Sequence, residues 1–474
     1  MEKFDVAIIG AVIGGLASAA LLAKKGLRIA IFEKENKPGG YCSSFSQEGY
    51  LFDACIDSIG CLARGGILRE VLNSLKVLDE IHLIELNPIR RNIFPNLSID
   101  IPNSYEQYQE DLKNLFPKQS NGIRKVFTTM SDIYQWSNDS ALSESAGFDL
   151  QFWVSRTFKS LLEDHIDDIR LQAILSSYCN YLGLPASEVS VIAAANILMH
   201  YLKGGAFRVK GGIQNLINAF VKEIQINGGK IYLEEGVKEI ICDNGVASSI
   251  KTDKEREVKA GHVVSDIDLK TVVNSMIKTA SLSKEKIKRI NKLENSGSFA
   301  IVYLGLDCDL THNNLVSSMG YFSSFDLGAM LNRDEKLSFG ISIPSLVDKS
   351  VVPDGHSSIV IHLPFCYNNH NIKPDKNLIA DKLIAQLEQL IPDIQKHIVY
   401  KSVADSETLS RYTGNYHGAA YGWAQNTDLF TNLPFLRSLM KNFYIVGHWA
   451  GYGGGIMPSI LSAIRTSKMI EVGR

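Results

Sequence analysis

The sequence lacks any run of about 18 apolar residues, the minimum for a helix that crosses a bilayer, so no membrane span is expected. The nearest approach, residues 189–202, is interrupted by Ser190, Asn196 and His200 and reads as a buried helix. It also lacks an excess of charge. Its 49 Lys and Arg against 51 Asp and Glu leave a net −2, which gives no electrostatic case for binding nucleic acid. Cysteine is sparse: seven are scattered without metal-ligand spacing, and Cys42, Cys55 and Cys61 match no common zinc motif. No metal site is expected, and free thiols in a reducing, cytoplasmic setting are. A basic leader with a small-residue cleavage site is missing from the start, so no signal peptide is expected. Internal repeats and low-complexity tracts are missing too, and the charge-rich stretches 251–259 and 283–292 read as a solvated loop and a solvated helix face. No Ser-His-Asp, paired-carboxylate or metal-ligand constellation stands out to suggest hydrolysis.

What is present is a chain of 474 residues, 45% hydrophobic, long enough for two or three domains. Its most informative stretch is 4–34. An apolar β-branched run (5–9) meets a turn at Gly10, then helical apolar spacing (16–25), Gly26 and a second strand (28–32) that ends at Glu33. This is the phosphate-binding start of a dinucleotide fold: helix amides face a pyrophosphate and the acid accepts from a ribose. Gly10 and Gly15 hold the outer positions of G-x-G-x-x-G, but Val12 replaces the middle glycine. A branched side chain there is expected to push the phosphates outward or to demand a shifted backbone. A bound cofactor on a variant turn and a weakened or lost cofactor are both open on this feature alone.

Two later segments repeat the logic. Lys203-Gly-Gly-Ala-Phe-Arg-Val-Lys-Gly-Gly leads into an amphipathic helix (213–227) stopped by Gly228-Gly229, then strands at 230–233 and 262–266. Near the end, a strand (443–446) runs into the glycine-rich loop 447–455 and a helix (456–469) with Pro458 in its first turn. That helix start is a second place to hold negative charge. The fold class expected is α/β.

Together these segments resemble the phytoene desaturase and carotenoid isomerase group of flavoproteins, within the amine-oxidase-like FAD enzymes. Lys34 to Phe45, with Pro38-Gly39-Gly40, is similar to the group's second FAD loop, and Phe52-Asp53 to its F-D-x-G element. Residues 183–188 and 203–212 resemble the substrate-domain helix and the return to the FAD domain. Residues 411–423 resemble the stretch before the C-terminal motif. Val12, Tyr41 (where many relatives carry arginine) and Cys55 (for the glycine after Phe52-Asp53) depart from the pattern.

The resemblance implies a discontinuous Rossmann-like FAD-binding domain (1–70, 205–280, 405–474) and an α+β substrate domain (71–204, 281–404). It implies cofactor contacts from Gly10, Val12, Ile13, Gly14, Gly15, Glu33, Lys34, Gly39, Gly40, Tyr41, Val237, Gly447, Gly455, Ile456 and Met457. The amides of Gly455 to Met457 would face the flavin ring and favour its reduced anion. His448, Trp449 and Tyr452 are the side chains expected at the flavin or substrate, with His448 able to move a proton near neutral pH and Trp449 to wall an apolar tunnel. The implied activity is FAD-dependent desaturation or cis-trans isomerisation of a long apolar polyene or prenyl-type substrate, with association at a membrane surface. Oxidation of a carrier-bound or specialised metabolite, and a non-catalytic binding protein with weakened FAD affinity, remain as alternatives.

Overall fold

The computed structural model describes residues 2–142, 150–243, 245–277, 282–326, 337–365, 375–436, 439–451 and 453–472. β1 (Glu2–Ile9) and β2 (Ile29–Phe32) lie parallel and are joined by α1 (Ile13–Ala23). Val6 to Ile9 and all of β2 are buried, as strands covered on both faces must be. The helix begins at Ile13, ahead of the apolar spacing that starts at residue 16. Gly14 and Gly15 carry no hydrophobic signal, yet both are helical and tightly enclosed. A Cβ on Gly14 would lie 2.6 Å from Gly447 N, and one on Gly15 would lie 2.5 Å from Gly10 O.

β1 and β2 belong to a seven-stranded sheet in the order Lys230–Tyr232, β2, β1, Glu257–Ser265, Val246–Thr252, Val237–Asp243, with Phe443–Ile445 also paired to Glu257–Ser265. Helices α1, Gln214–Ile226 and Ile456–Val472 share one apolar core on this sheet. The C-terminal ends of β1, β2, Glu257–Ser265 and Phe443–Ile445 thus converge, and ligands bind at such a crevice in open α/β sheets.

A second seven-stranded sheet runs Ile398–Ala404, Ser298–Leu306, Ser357–Phe365, Phe339–Ser342, Ser318–Tyr321, Arg90–Phe94, Leu97–Ile101. Side chains alternate across it. Ala300, Val302 and Leu304 pack under helix Lys376–Leu387, while Ile301 and Tyr303 face Tyr50 and Phe52 on the opposite side. Helices Tyr105–Leu115, Ser120–Leu142 and Val191–Gly204 form a third apolar layer. A small sheet of Ile59–Gly60, Ala206–Val209 and Leu83–Leu86 stitches the two large sheets' segments together.

Candidate active site

Two cavities meet at the turn before α1. The first holds about 1400 Å³ of empty space, its open mouth included. It is lined by Gly10, Val12, Glu33, Lys34, Gly40 and Val237, and from far along the chain by Asp266, Asp268, Thr413 and Asn415. Glu33 lies just past β2. Its Oε2 accepts from Ala11 N at 2.8 Å and its Oε1 from Glu35 N at 3.0 Å. Burial raises its pKa, and these amides oppose the rise.

Val12 occupies the N-cap position of α1 with φ −97° and ψ 174°, ordinary extended backbone, and its side chain caps no amide. The valine therefore demands no shifted backbone. Its two methyl carbons lie 3.2 Å from where a Cβ of Gly40 would be, and Gly40 has φ +55°. The isopropyl group is seated against a glycine and projects into the junction of the cavities. Val12→Gly is accordingly expected to tighten FAD binding only about threefold, since it removes volume and no strain. A flavin fluorescence titration checks this, and weaker binding would show that the turn has adapted around valine.

The amides of α1 that Val12 leaves uncapped go to Asp266, the residue after Glu257–Ser265. Gly15 N donates to its Oδ2 at 2.6 Å, and Gly14 N donates as well. Burial pushes this carboxyl up to about 7, with the Glu33 charge adding to the rise and the two amides opposing it. Gly447 must be glycine here: a Cβ would fall 1.8 Å from Asp266 Oδ1, and its φ is +75°.

Val12, Tyr41, Asp266 and His448 line both cavities. The second cavity holds about 1080 Å³. Ile13, Ile56, Phe299, Ile301, Leu409 and Ile456 give it apolar walls, and Gly455, Ile456 and Ser459 bring the start of helix Ile456–Val472 to its edge. Gly455 has φ +98° and open space where a Cβ would stand. Asp266 is the one group at the junction that titrates near neutrality; His448, Tyr41 and Cys55 are held neutral. Burial pushes His448 down to about 4, its ring donates to the Ala420 carbonyl, and Nε2 lies 3.4 Å from Asn415 Nδ2. Burial raises Tyr41, whose hydroxyl donates to the Ala419 carbonyl, and raises the Cys55 thiol.

Residues 13–470 match the family described as flavin containing amine oxidoreductase. The chain belongs to that family. It is 24% identical over 500 residues to prolycopene isomerase 2, chloroplastic, of an Oncidium hybrid cultivar, covering 98% of this chain and 83% of that protein. It is also 24% identical over 495 residues to a 4,4'-diapophytoene desaturase (4,4'-diapolycopene-forming) of Methylomonas, covering 98% and 94%. An oxidoreductase structure from Methanosarcina mazei superposes with a TM-score of 0.70 at 20% identity, covering 99% and 100% of the two chains. This flavin-containing oxidoreductase takes FAD, and its residues fit that cofactor. One cavity presents the strand-end carboxylate, the other the C-terminal helix start, and Val12, Tyr41, Asp266 and His448 form the neck between them.

Of the site residues expected from the flavoprotein's sequence, Gly10, Val12, Ile13, Glu33, Lys34, Gly40, Tyr41, Val237, His448, Gly455 and Ile456 line one or both cavities. Gly14, Gly15, Gly39, Gly447 and Met457 line neither. Gly14, Gly15 and Gly447 instead enclose Asp266, and Met457 sits in the α1 core. His448 is neutral at pH 7, so it is not a ready carrier of a proton. Trp449 is not a tunnel wall. It is fully buried, its Nε1 donates to Asn415 Oδ1, and it packs edge-on to Trp423, which donates to its carbonyl. Tyr452 lies outside the described residues. Sequence reasoning passed over Asp266, whose one signal is an acid at the end of a buried strand. It also missed Asp57, Arg90, Tyr181 and His362 at the inner end of the second cavity.

Proposed function

We propose that this flavoprotein desaturates or isomerises a long apolar polyene or prenyl-type chain. The observation that carries the reading is the apolar second cavity opening directly on the junction where the flavin half of the cofactor belongs. The proposed division is a cofactor domain of 1–70, 205–280 and 405–474, with a substrate domain of 71–204 and 281–404.

Bound FAD would supply hydride acceptance from, or return to, an allylic carbon. The chain's own residues do the rest. Glu33 would accept from the ribose, the start of α1 would face the pyrophosphate, and backbone at Val237 would border the adenine. Amides at Gly455, Ile456 and Met457 lie at a helix start, and those at the cavity edge would favour negative charge on a flavin ring bound there. Tyr41 and His448 keep their neutral forms and exclude water from the junction.

The test is aerobic and anaerobic incubation of the yellow holoprotein with a cis-polyene, followed by chromatography of the products. A changed double-bond geometry or an added double bond supports the reading. An untouched polyene with fully loaded flavin overturns it. His448→Phe is expected to slow turnover about tenfold while leaving FAD affinity within about twofold, because the imidazole borders the substrate side but pairs with no charge. Stopped-flow flavin reduction checks this for desaturation and timed product chromatography for isomerisation, and an unchanged rate would make His448 a packing residue.

An apolar substrate of this size would be drawn from lipid, so membrane-surface association is part of the proposal. No helix among the described residues is long and apolar enough to cross a membrane. Co-sedimentation with liposomes tests it, and protein left wholly in the supernatant would favour the specialised-metabolite alternative.

A further inference from the structure

The inner end of the apolar cavity is polar. Strand Arg90–Phe94 turns Arg90, Asn92 and Phe94 inward, and Arg90 is only 5% exposed. Two glycines make its bed. Gly320 and Gly340 face each other across neighbouring strands, and a Cβ on Gly320 would fall 2.5 Å from Arg90 Nη2. Arg90 Nε donates to Asn92 Oδ1 and Nη1 to the Tyr181 hydroxyl. Tyr181 in turn donates to Asp57 Oδ2 at 2.7 Å, and Ser318 donates to the same oxygen at 2.6 Å.

The aspartates already have their cation. Arg208 lies 3.2 Å from Asp53 Oδ2 and 3.6 Å from Asp57 Oδ1. Burial would raise Asp57, but the charge of Arg208, these hydroxyls and the more distant charge of Arg90 outweigh it and hold the group below the usual range. Among the described residues no carboxylate lies within ion-pairing distance of Arg90, and both of its hydrogen bonds go to neutral acceptors. Across the sheet from it, His362 Nε2 is buried without a hydrogen-bond partner. Burial pushes this imidazole down to about 4, so it stays neutral. Arg90, Tyr181, Asp57 and His362 all line the cavity that His448 and Ile456 line.

A hydrocarbon end lodged here would strip water from a guanidinium and an imidazole and return nothing. An unmatched buried polar group costs about 1–3 kcal/mol, and more when charged. An oxygen acceptor at the chain end removes that cost. The two arginines and two aspartates already balance, so the acceptor need not be charged.

We propose that this cluster binds an oxygenated terminus, a carbonyl or carboxylate, on the polyene chain, with Arg90 and His362 as the donors that select it. The proposal rests on the polyene reading of the same cavity.

The test uses the holoprotein and three fluorescent probes: parinaric acid (a conjugated tetraene carboxylate), the matching aldehyde and the matching hydrocarbon. The acid or the aldehyde is expected to bind at least about tenfold tighter than the hydrocarbon, and the tighter of the two identifies the terminus. Arg90→Gln is expected to erase that preference while hydrocarbon binding holds. His362→Phe is expected to reduce it severalfold, and it decides the matter if Arg90→Gln does not fold. Equal binding of all three probes, or a preference intact in the folded variants, overturns the proposal and leaves the polyene reading standing. Binding of none of the three overturns both.

Discussion

Replacing Asp266 with asparagine is expected to tighten FAD binding up to about tenfold at about pH 8 and to leave it nearly unchanged at about pH 5. The carboxylate holds the amides of Gly14 and Gly15 at the positive end of α1, the place where a pyrophosphate seeks the same field. With the carboxyl raised to about 7 by burial, the wild-type side chain is neutral in acid and gives way easily. Above about 7 it is an anion facing the phosphates, and affinity should fall by up to tenfold per pH unit.

Stability follows the same sign. The folded state keeps a proton that the unfolded chain releases near 4, so stability is highest below that value. It falls as pH rises to about 7 and is level above. At about 1.4 kcal/mol per pKa unit, the ionised side chain costs the fold on the order of 4 kcal/mol. Asp266→Asn should flatten both profiles. Glu33 is the carboxylate nearest in effect, and Cys42, pushed up to about 12 by burial, stays a neutral thiol throughout. Flavin fluorescence titrations and thermal melts across this range check both parts. A variant that keeps the wild-type pH slope would remove Asp266 from the phosphate site.

Glu33→Ala is expected to weaken FAD binding about 100-fold and leave a folded, colourless protein. The carboxylate accepts from two backbone amides. It also presents the acceptor that a ribose needs, and charged hydrogen bonds of this kind contribute about 1.5–3 kcal/mol each. Glu33→Gln keeps the amide contacts in part and should lose about tenfold. The ratio of flavin to protein absorbance, read beside circular dichroism, separates cofactor loss from unfolding. Full flavin content in Glu33→Ala would mean that the ribose is held elsewhere.

The dinucleotide start was readable because everything it needs is local. β1, the turn, α1, β2 and Glu33 are contiguous, and their periodicities switch where the structure switches. The convergence of the glycine-rich C-terminal loop on that turn followed from family resemblance, not from residue spacing. The inner end of the second cavity was not readable. Asp57, Arg90, Tyr181, Arg208 and His362 come from five separate stretches, and each alone looks like an ordinary polar residue. Arg90 gave one faint signal, an arginine at an inward strand position. Trp449 shows the opposite failure. It neighbours His448 in sequence, but the positive φ of Gly447 and Gly451 turns the loop so that the indole points into the core.

The cap on α1 also constrains how the protein can be made. Asp266 stands 251 residues beyond the amide it accepts from, and the central strand β1 finds one of its two partners at Glu257–Ser265. During synthesis at about 5–20 residues per second, the emerging N-terminal segment waits on the order of ten seconds or more with one strand edge open. Such an edge invites pairing with other chains. Expression yield should therefore depend on translation speed and on chaperones that shield a nascent apolar strand, more than on the stability of the finished fold.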